Sequence, residues 1–276
     1  MIDRYLSMKD EEIDQLLEKI FDKYGFDFRE YARASFKRRL GAVLRAEHIV
    51  TISELEQRVL TEPTLMHRFV HSITVSTTSM FRDPTFYGAF RNIVLPVLRT
   101  YPFVRFWHAG CATGEEVYSY AILLQEEALA DRCRIYATDI DAVSVEKAKA
   151  GVFNMSSMKE YSTNYIQAGG KYSLSNYYTA MNEHAVFSKA LRENIVFAQH
   201  NLVSDSSFNE FHVILCRNVM IYFNNQLREK VLSLFHDSLC PFGILGLGSK
   251  ESLRFTSIDP CYEQLVAGEQ LYRRVI

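Results

Sequence analysis

The residue types that could do chemistry at a defined spacing are concentrated in Phe106-Trp-His-Ala-Gly-Cys-Ala-Thr-Gly-Glu-Glu-Val-Tyr-Ser-Tyr120. An apolar strand pattern there runs into a turn of small residues and then into a helix opening near Glu115. Gly110 and Gly114 let the backbone approach a bound group, and the helix start aims free N–H groups and a positive dipole end at the same space. The turn is therefore a candidate ligand site. Glu115 and Glu116 restrict the ligand, because a carboxylate in the first helical turn repels a pyrophosphate and suits hydroxyls or positive charge. Asp139 closes a second strand pattern roughly 25 residues after Gly114, about where a Rossmann-type unit places its ribose-binding acid.

Two further strand patterns end in polar pairs, Asn201-Leu202 and Arg217-Asn218. Ligands of open α/β sheets lie outside the carboxyl ends of the strands, so these pairs should converge with Asp139 on one site. The junction Ser72 to Pro84 is dense in hydroxyls, and Arg82 beside Thr78 could clamp a carboxylate with two hydrogen bonds. Asp83 should cap the helix that Pro84 opens. Farther upstream, Arg29, Arg33, Lys37, Arg38, Arg39 and Arg45 are accompanied by one acid, Glu30. Arg38 and Arg45 would stand two turns apart on a helix, roughly 10 Å along one face. Gly41 and Ala42 between them leave a flat cationic surface that another helix could approach, suited to an acidic partner.

The elements that must hold these residues follow from periodicity. Residues 10–75 repeat apolar side chains at helical spacing (Ile13, Leu16, Leu17 and Ile20; Phe36, Leu40, Val43 and Leu44; Leu55, Val59 and Leu60), with Ser53 as a candidate cap and Pro63 at a helix boundary. From Val104 strands alternate with helices, the pattern of a parallel sheet, with strands expected at 104–109, 133–138, 194–199, 211–216 and 243–248. A strand in 270–276 would close the sheet edge. Residues 152–193 form an insertion, with Gly169-Gly170 between Tyr165 and Tyr172 suggesting a small antiparallel excursion. The domains expected are a helical unit over 1–75, a linker with ligand contacts over 76–90, and an α/β domain over 91–276.

Hydrophobic residues make up 48% of the 276, enough for a large core, and the net charge of −2 offers no global field for nucleic acid or an anionic membrane. No signal-peptide core or 18-residue apolar run is present, so a cytoplasmic protein without membrane insertion is expected. The cysteines, Cys111, Cys133, Cys216, Cys240 and Cys261, are odd in number with no Cys-x-x-Cys pair, which favours buried thiols over disulfides or zinc. His67 and His71 stand four apart, but Arg68 occupies the place of a zincin's glutamate, so no metal is expected.

Several segments together resemble the CheR-type methyltransferases, which use S-adenosylmethionine to esterify glutamate side chains of bacterial chemoreceptors. They are Thr78-Ser-Met-Phe-Arg82-Asp83, Trp107 to Ser119, Ala137-Thr-Asp-Ile-Asp141, His200-Asn201-Leu202 and Cys216-Arg-Asn-Val-Met-Ile-Tyr-Phe223. The resemblance spans nearly the whole chain. It implies a Rossmann-like class I methyltransferase sheet, a small all-helical N-terminal domain and a small inserted subdomain. It further implies action on an acidic helical region of a chemoreceptor and release of S-adenosylhomocysteine; the motifs need no second subunit, so a monomer is expected. Glu115 and Asp139 would hold polar groups of the cofactor, Asp139 the ribose hydroxyls, beside the turn at Gly110. Asn201 and Leu202 would flank the adenine, Thr78 and Arg82 would hold the methionine end, and Ser76 would be a further cofactor contact. Arg82 would also stand near the transferring methyl, with Arg217, Asn218 and Tyr222 lining the reacting pocket; Arg82 and Tyr222 are the catalytic candidates. Arg38, Arg39 and Arg45 would meet the receptor. The chain departs from the family pattern at Ser76, where Asn is usual, at Met80, where Phe is usual, and at Gly248-Ser-Lys-Glu251, where Gly-His-Ser-Glu is usual.

Two rival readings come from other functions. A nicotinamide-dependent dehydrogenase is disfavoured by the acids at Glu115 and Glu116 and by the missing third glycine. A cofactor-binding scaffold or sensor without transfer activity is disfavoured by the joint presence of Arg82, Asp139, Arg217, Asn218 and Tyr222.

Overall fold

The structure is a computed structural model that describes residues 8–74 and 77–276. The first four helices are α1 (Asp10–Tyr24), α2 (Arg33–Ala46), α3 (Ile52–Thr61) and α4 (Pro63–Ile73). Their apolar stripes close on one core that includes Ile13, Leu17, Phe36, Leu40, Leu55, Val59 and Phe69. Pro63 opens α4, as its fixed φ and missing N–H favour. The cap of α3 is Thr51, not Ser53: its side chain accepts from the Glu54 N–H at 3.1 Å, and Ser53 is already inside the helix.

After the junction come α5 (Pro84–Ala89), a π-helical turn over Phe90–Val94, and α6 (Leu95–Leu98). The α/β domain then runs through β1 (Val104–Ala109), α7 (Glu115–Glu126), β2 (Cys133–Asp139), α8 (Ala142–Ala150), β3 (Val152–Asn154), α9 (Met158–Gln167), β4 (Tyr178–Met181) and β5 (His184–Phe187). It continues with β6 (Ile195–Gln199), β7 (Phe211–Cys216), α10 (Asn225–Ser238), β8 (Leu239–Leu247), β9 (Tyr262–Gln264) and β10 (Leu271–Arg274). The main sheet has the order β6-β2-β1-β7-β8-β10-β9; the first five strands are parallel and the last two join antiparallel. Both faces are buried. Phe106, Val213, Leu215 and Ile244 point into a core with Phe86, Phe90 and Tyr120, while Trp107, Ile214 and Leu245 alternate into a second core with Val231 and Phe235 of α10. The chain builds outward from β1 to β2 and β6, then returns to the other side of β1 to add β7. The crevice at that reversal, outside Ala109 and Cys216, is where an open α/β sheet binds its ligand.

Three expectations need correction. The last strand, β10, is not the sheet edge, because the short β9 pairs outside it. β8 begins at Leu239, four residues before the expected start, because a register shift opposite Phe211 and Val213 absorbs Pro241 and Gly243 within the strand. The insertion does hold an antiparallel sheet, ordered β3-β5-β4, but its hairpin turns at Asn182-Glu183. Tyr165 lies in α9, and Gly169-Gly170 ends that helix, Gly170 N–H reaching the Tyr165 carbonyl at 3.0 Å.

The helical domain docks on the loop after β7. Ala32 N–H donates to the Tyr222 carbonyl at 2.8 Å, Asn224 N–H donates to the Glu30 carbonyl at 2.9 Å, and the rings of Tyr31 and Phe223 lie 5.2 Å apart. A second tie joins α4 to the start of α8, where His71 Nδ1 lies 2.6 Å from Asp141 Oδ2. These contacts make the helical domain one wall of the crevice.

Candidate functional site

At the end of β1, Gly110 turns the chain with φ of 78°, and the N–H groups of Gly110 and Cys111 both donate to the Thr138 carbonyl. A Cβ on Gly110 would lie 2.5 Å from Val219 Cγ2, so the turns after β1 and β7 meet only because that position is glycine. Ala112, at φ of 47°, directs its N–H to Asp139 Oδ2 at 2.8 Å, while Asp139 Oδ1 accepts from the Asp141 N–H at 2.9 Å. Burial nevertheless raises the pKa of Asp139, its backbone donors offsetting only part of the loss of solvent.

Asp139 lines an open compartment with Tyr31, Arg39 and Thr74 from the helical domain and with His200 to Val203, Tyr222 and Phe223. A second compartment is lined by Thr77, Thr78, Ser79, Arg82, Glu116 and Arg217. Gly110, Asn218 and Val219 line both. The first combines a carboxylate with aromatic and amide groups, which suits a hydroxyl-bearing nucleoside. The second combines hydroxyls, an exposed arginine and a carboxylate, which suits a group carrying both charges, such as an amino acid.

The floor of the second compartment is an ion network. Arg217, with 2% of its side chain exposed, donates to Glu116 at 3.0 Å, to Asp83 at 2.9 Å and to the Arg82 carbonyl at 3.1 Å, and lies 4.3 Å from the Phe86 ring centroid. Burial disfavours its charge, but Glu116 and Asp83 more than compensate and hold the guanidinium above its ordinary pKa. Burial likewise pushes Glu116 up, and His108 Nδ1 at 3.0 Å together with Arg217 outweighs it, so Glu116 sits below the ordinary glutamate value. The network holds Arg82 at the rim through its backbone. Asp83 therefore does not cap α5 as expected; it adopts φ of 56° and spends its carboxylate on Arg217.

A second buried acid fixes the shared wall. Glu251 Oε2 accepts from the N–H groups of Asn218 at 2.9 Å and Gly248 at 2.7 Å, and Oε1 accepts from Ile221 N–H at 3.3 Å. This carboxylate holds Asn218 at φ of 62°, a backbone conformation in which that residue faces both compartments.

The crevice thus gathers Gly110, Asp139, Asn201, Leu202, Asn218 and Tyr222 on one side and Thr78, Arg82 and Arg217 on the other. Tyr222 and Arg82 line different compartments. The Asn201 side chain is committed locally, its oxygen accepting from Val203 N–H at 3.0 Å and its nitrogen reaching the Gly25 carbonyl at 3.4 Å. Glu115 does not line the crevice. It is 7% exposed, takes the Thr113 hydroxyl at 2.6 Å and has its pKa raised by burial; one residue along the helix, Glu116 faces the ligand space instead. Ser76 lies outside the described residues.

On α2, Arg38 and Arg45 are exposed, in line with Ala34 and Ala42. Arg39 points the other way: it is 8% exposed, donates to the Ile73 carbonyl and lies 4.1 Å from the Tyr222 ring centroid, inside the crevice and off the outward face assigned to it. Sequence reasoning gives no site role to Tyr31 or Glu251 and none beyond a helix cap to Asp83; the doublet Glu115-Glu116 carries a signal, but not which acid turns inward.

Comparison with known proteins adds the family. Residues 11–74 match the model described as the CheR methyltransferase all-alpha domain, and residues 76–264 match the CheR methyltransferase SAM binding domain. The Cher3 protein of Pseudomonas putida is 47% identical over 96% of this chain and 97% of its own length. Chemotaxis protein methyltransferase 1 of Pseudomonas aeruginosa is 31% identical over 78% of this chain and 80% of its own. The chemotaxis protein methyltransferase of Listeria monocytogenes is 28% identical over 83% of this chain and 85% of its own. Both domains are matched in order, and the crevice is built where they meet. The chain belongs to the CheR family of S-adenosylmethionine-dependent methyltransferases.

Proposed function

We propose that this chain transfers the methyl group of S-adenosylmethionine to glutamate side-chain carboxylates of a chemoreceptor-type protein in the cytoplasm, forming methyl esters during chemosensory adaptation. The observation that carries the reading is the pair of compartments joined through Gly110, Asn218 and Val219, one suited to a nucleoside and the other to an amino acid. The cofactor supplies an electrophilic methyl on a sulfonium; the remaining tasks fall to the chain's own residues.

Asp139, oriented by backbone donors that include Ala112 and Asp141, would accept the ribose hydroxyls, and Leu202 would bound the adenine. Thr78 and Arg82 would bind the carboxylate of the amino-acid end, and Glu116 its ammonium. Arg217 keeps that compartment in shape through Glu116, Asp83 and the Arg82 carbonyl, and is a positioning residue. A glutamate acceptor is ionised at neutral pH and needs no general base, so the acceleration comes from alignment and exclusion of water. Tyr222, held beneath Arg39, and Arg82 at the rim would orient the acceptor.

The partner would be an acidic helical region. Arg33 and Lys37 are paired with acids of α1, and the exposed line of Ala34, Arg38, Ala42 and Arg45 would be the face for a helix to approach. None of the described helices is long and apolar enough to cross a membrane. Relatives named chemotaxis protein methyltransferases support the pathway.

The test incubates the protein with methyl-tritiated S-adenosylmethionine and purified cytoplasmic fragments of chemoreceptors. Base-labile tritiated methanol, with the label mapped to glutamate by mass spectrometry, is the expected result. Cofactor binding with no ester on any fragment would favour the scaffold reading.

A further inference from the structure

The loop 248–258, which follows β8 at the ligand end of the sheet, presents a phenylalanine to water. Phe255 is 100% exposed, and its φ of 64° is a conformation that side chains other than glycine rarely adopt. The loop is tied down on both sides of it. Phe255 N–H donates to Asp259 at 3.2 Å, Arg254 N–H to the Ser252 hydroxyl at 3.1 Å, and Ser257 gives its N–H and hydroxyl to Glu229 at 3.0 and 2.7 Å. Leu253 and Ile258 anchor the loop in the core. A fully exposed aromatic on a strained, well-bonded backbone costs stability and gains nothing within the monomer. Lys250 and Arg254 are also exposed, and their side chains have no ion-pair partner among the described residues.

This loop is continuous with the crevice. Its Glu251 binds the N–H groups of Asn218 and Ile221, and Ile221, 38% exposed, adds apolar surface beside it. We propose that the loop 248–258 is a second docking surface for the protein substrate, with Phe255 as an apolar anchor and Lys250 and Arg254 as cationic guides. Its occupant is the acidic helical substrate itself. The two cations complement such a helix, and the loop borders the wall on which the acceptor must arrive. The inference rests on the glutamate-methylation reading above and adds to it a specificity surface separate from α2.

The test measures initial rates of methyl ester formation against the concentration of a chemoreceptor cytoplasmic fragment, for the wild type, Phe255→Ala and the double variant Lys250→Glu/Arg254→Glu. Affinity for S-adenosylhomocysteine and the Tm are measured alongside. The expected result is a KM for the fragment raised about tenfold in each variant, with kcat and S-adenosylhomocysteine affinity unchanged. Phe255→Gly should show the same KM defect with a Tm equal to or above that of the wild type, since it relieves the backbone. Unchanged KM values against a methylated fragment would overturn the surface while leaving the glutamate reading intact. Absence of methylation by the wild type would overturn both.

Discussion

At the residue scale the site is a set of charges whose roles depend on burial more than on identity. Arg82 and Arg217 are both arginines of the second compartment, yet Arg82 is exposed at the rim while Arg217 is sealed beneath two acids and an aromatic ring. Arg82→Ala should therefore lower turnover at least about tenfold while shifting stability by no more than about 0.5 kcal/mol, as for surface substitutions. Paired rate and denaturant measurements check this; comparable losses in both would remove Arg82 from the site. Glu116 makes a pH prediction. Its folded pKa lies below the ordinary 4.5, so its contribution is present above that value and is lost as pH falls through the folded value. Glu116→Gln should lower stability near neutrality, and its deficit against wild type should shrink below about pH 4.5. Buried Asp139, Glu115 and Glu251 act in the opposite sense, so the difference between the two proteins is the quantity to measure. The motif around Gly110 makes Glu115 and Glu116 visible in the sequence, but which of the two faces inward depends on the phase of α7 against Thr113.

At the element scale the decisive event is the meeting of two strand-end turns. Gly110 and Val219 touch across the reversal between β1 and β7, and Glu251 stitches the second turn to the end of β8. Gly110→Ala combines a positive φ with a 2.5 Å contact, so it should cost about 1–3 kcal/mol and weaken cofactor binding. Val219→Ala in the same protein should restore part of the binding, because it removes the contact but not the backbone strain. Isothermal titration of the single and double variants checks the pair; no recovery would mean that φ alone sets the cost. The strands that carry these turns were legible because both sheet faces are buried, which produces continuous apolar runs such as Val213-Ile-Leu-Cys216. Less legible were the early start of β8, where Pro241 and Gly243 read as turn residues although a bulge accommodates them, and the insertion. There Gly169-Gly170 reads as a hairpin signal as readily as the helix terminus it forms, and the real hairpin uses Asn182, at φ of 54°.

At the scale of the whole molecule, two domains share one crevice. The helical domain contributes Tyr31, Arg39 and Thr74 to the compartment that Asp139 lines, and its outward face carries Arg38 and Arg45. One helix, α2, thus faces the ligand with Arg39 and solvent with Arg38. The basic run in the sequence could not divide those tasks, because adjacent helical positions differ by about 100° and the docking of α2 onto the loop after β7 sets which of them turns inward. The proposed function requires both compartments to hold a single cofactor, with Asp139 at its ribose. Calorimetric titration with S-adenosylhomocysteine, on the wild type and on Asp139→Ala, tests it most directly. One site per chain is expected in the wild type and an affinity lowered at least about a hundredfold in Asp139→Ala, the loss of a charged acceptor for two hydroxyls. Equal affinity in the two proteins would contradict it.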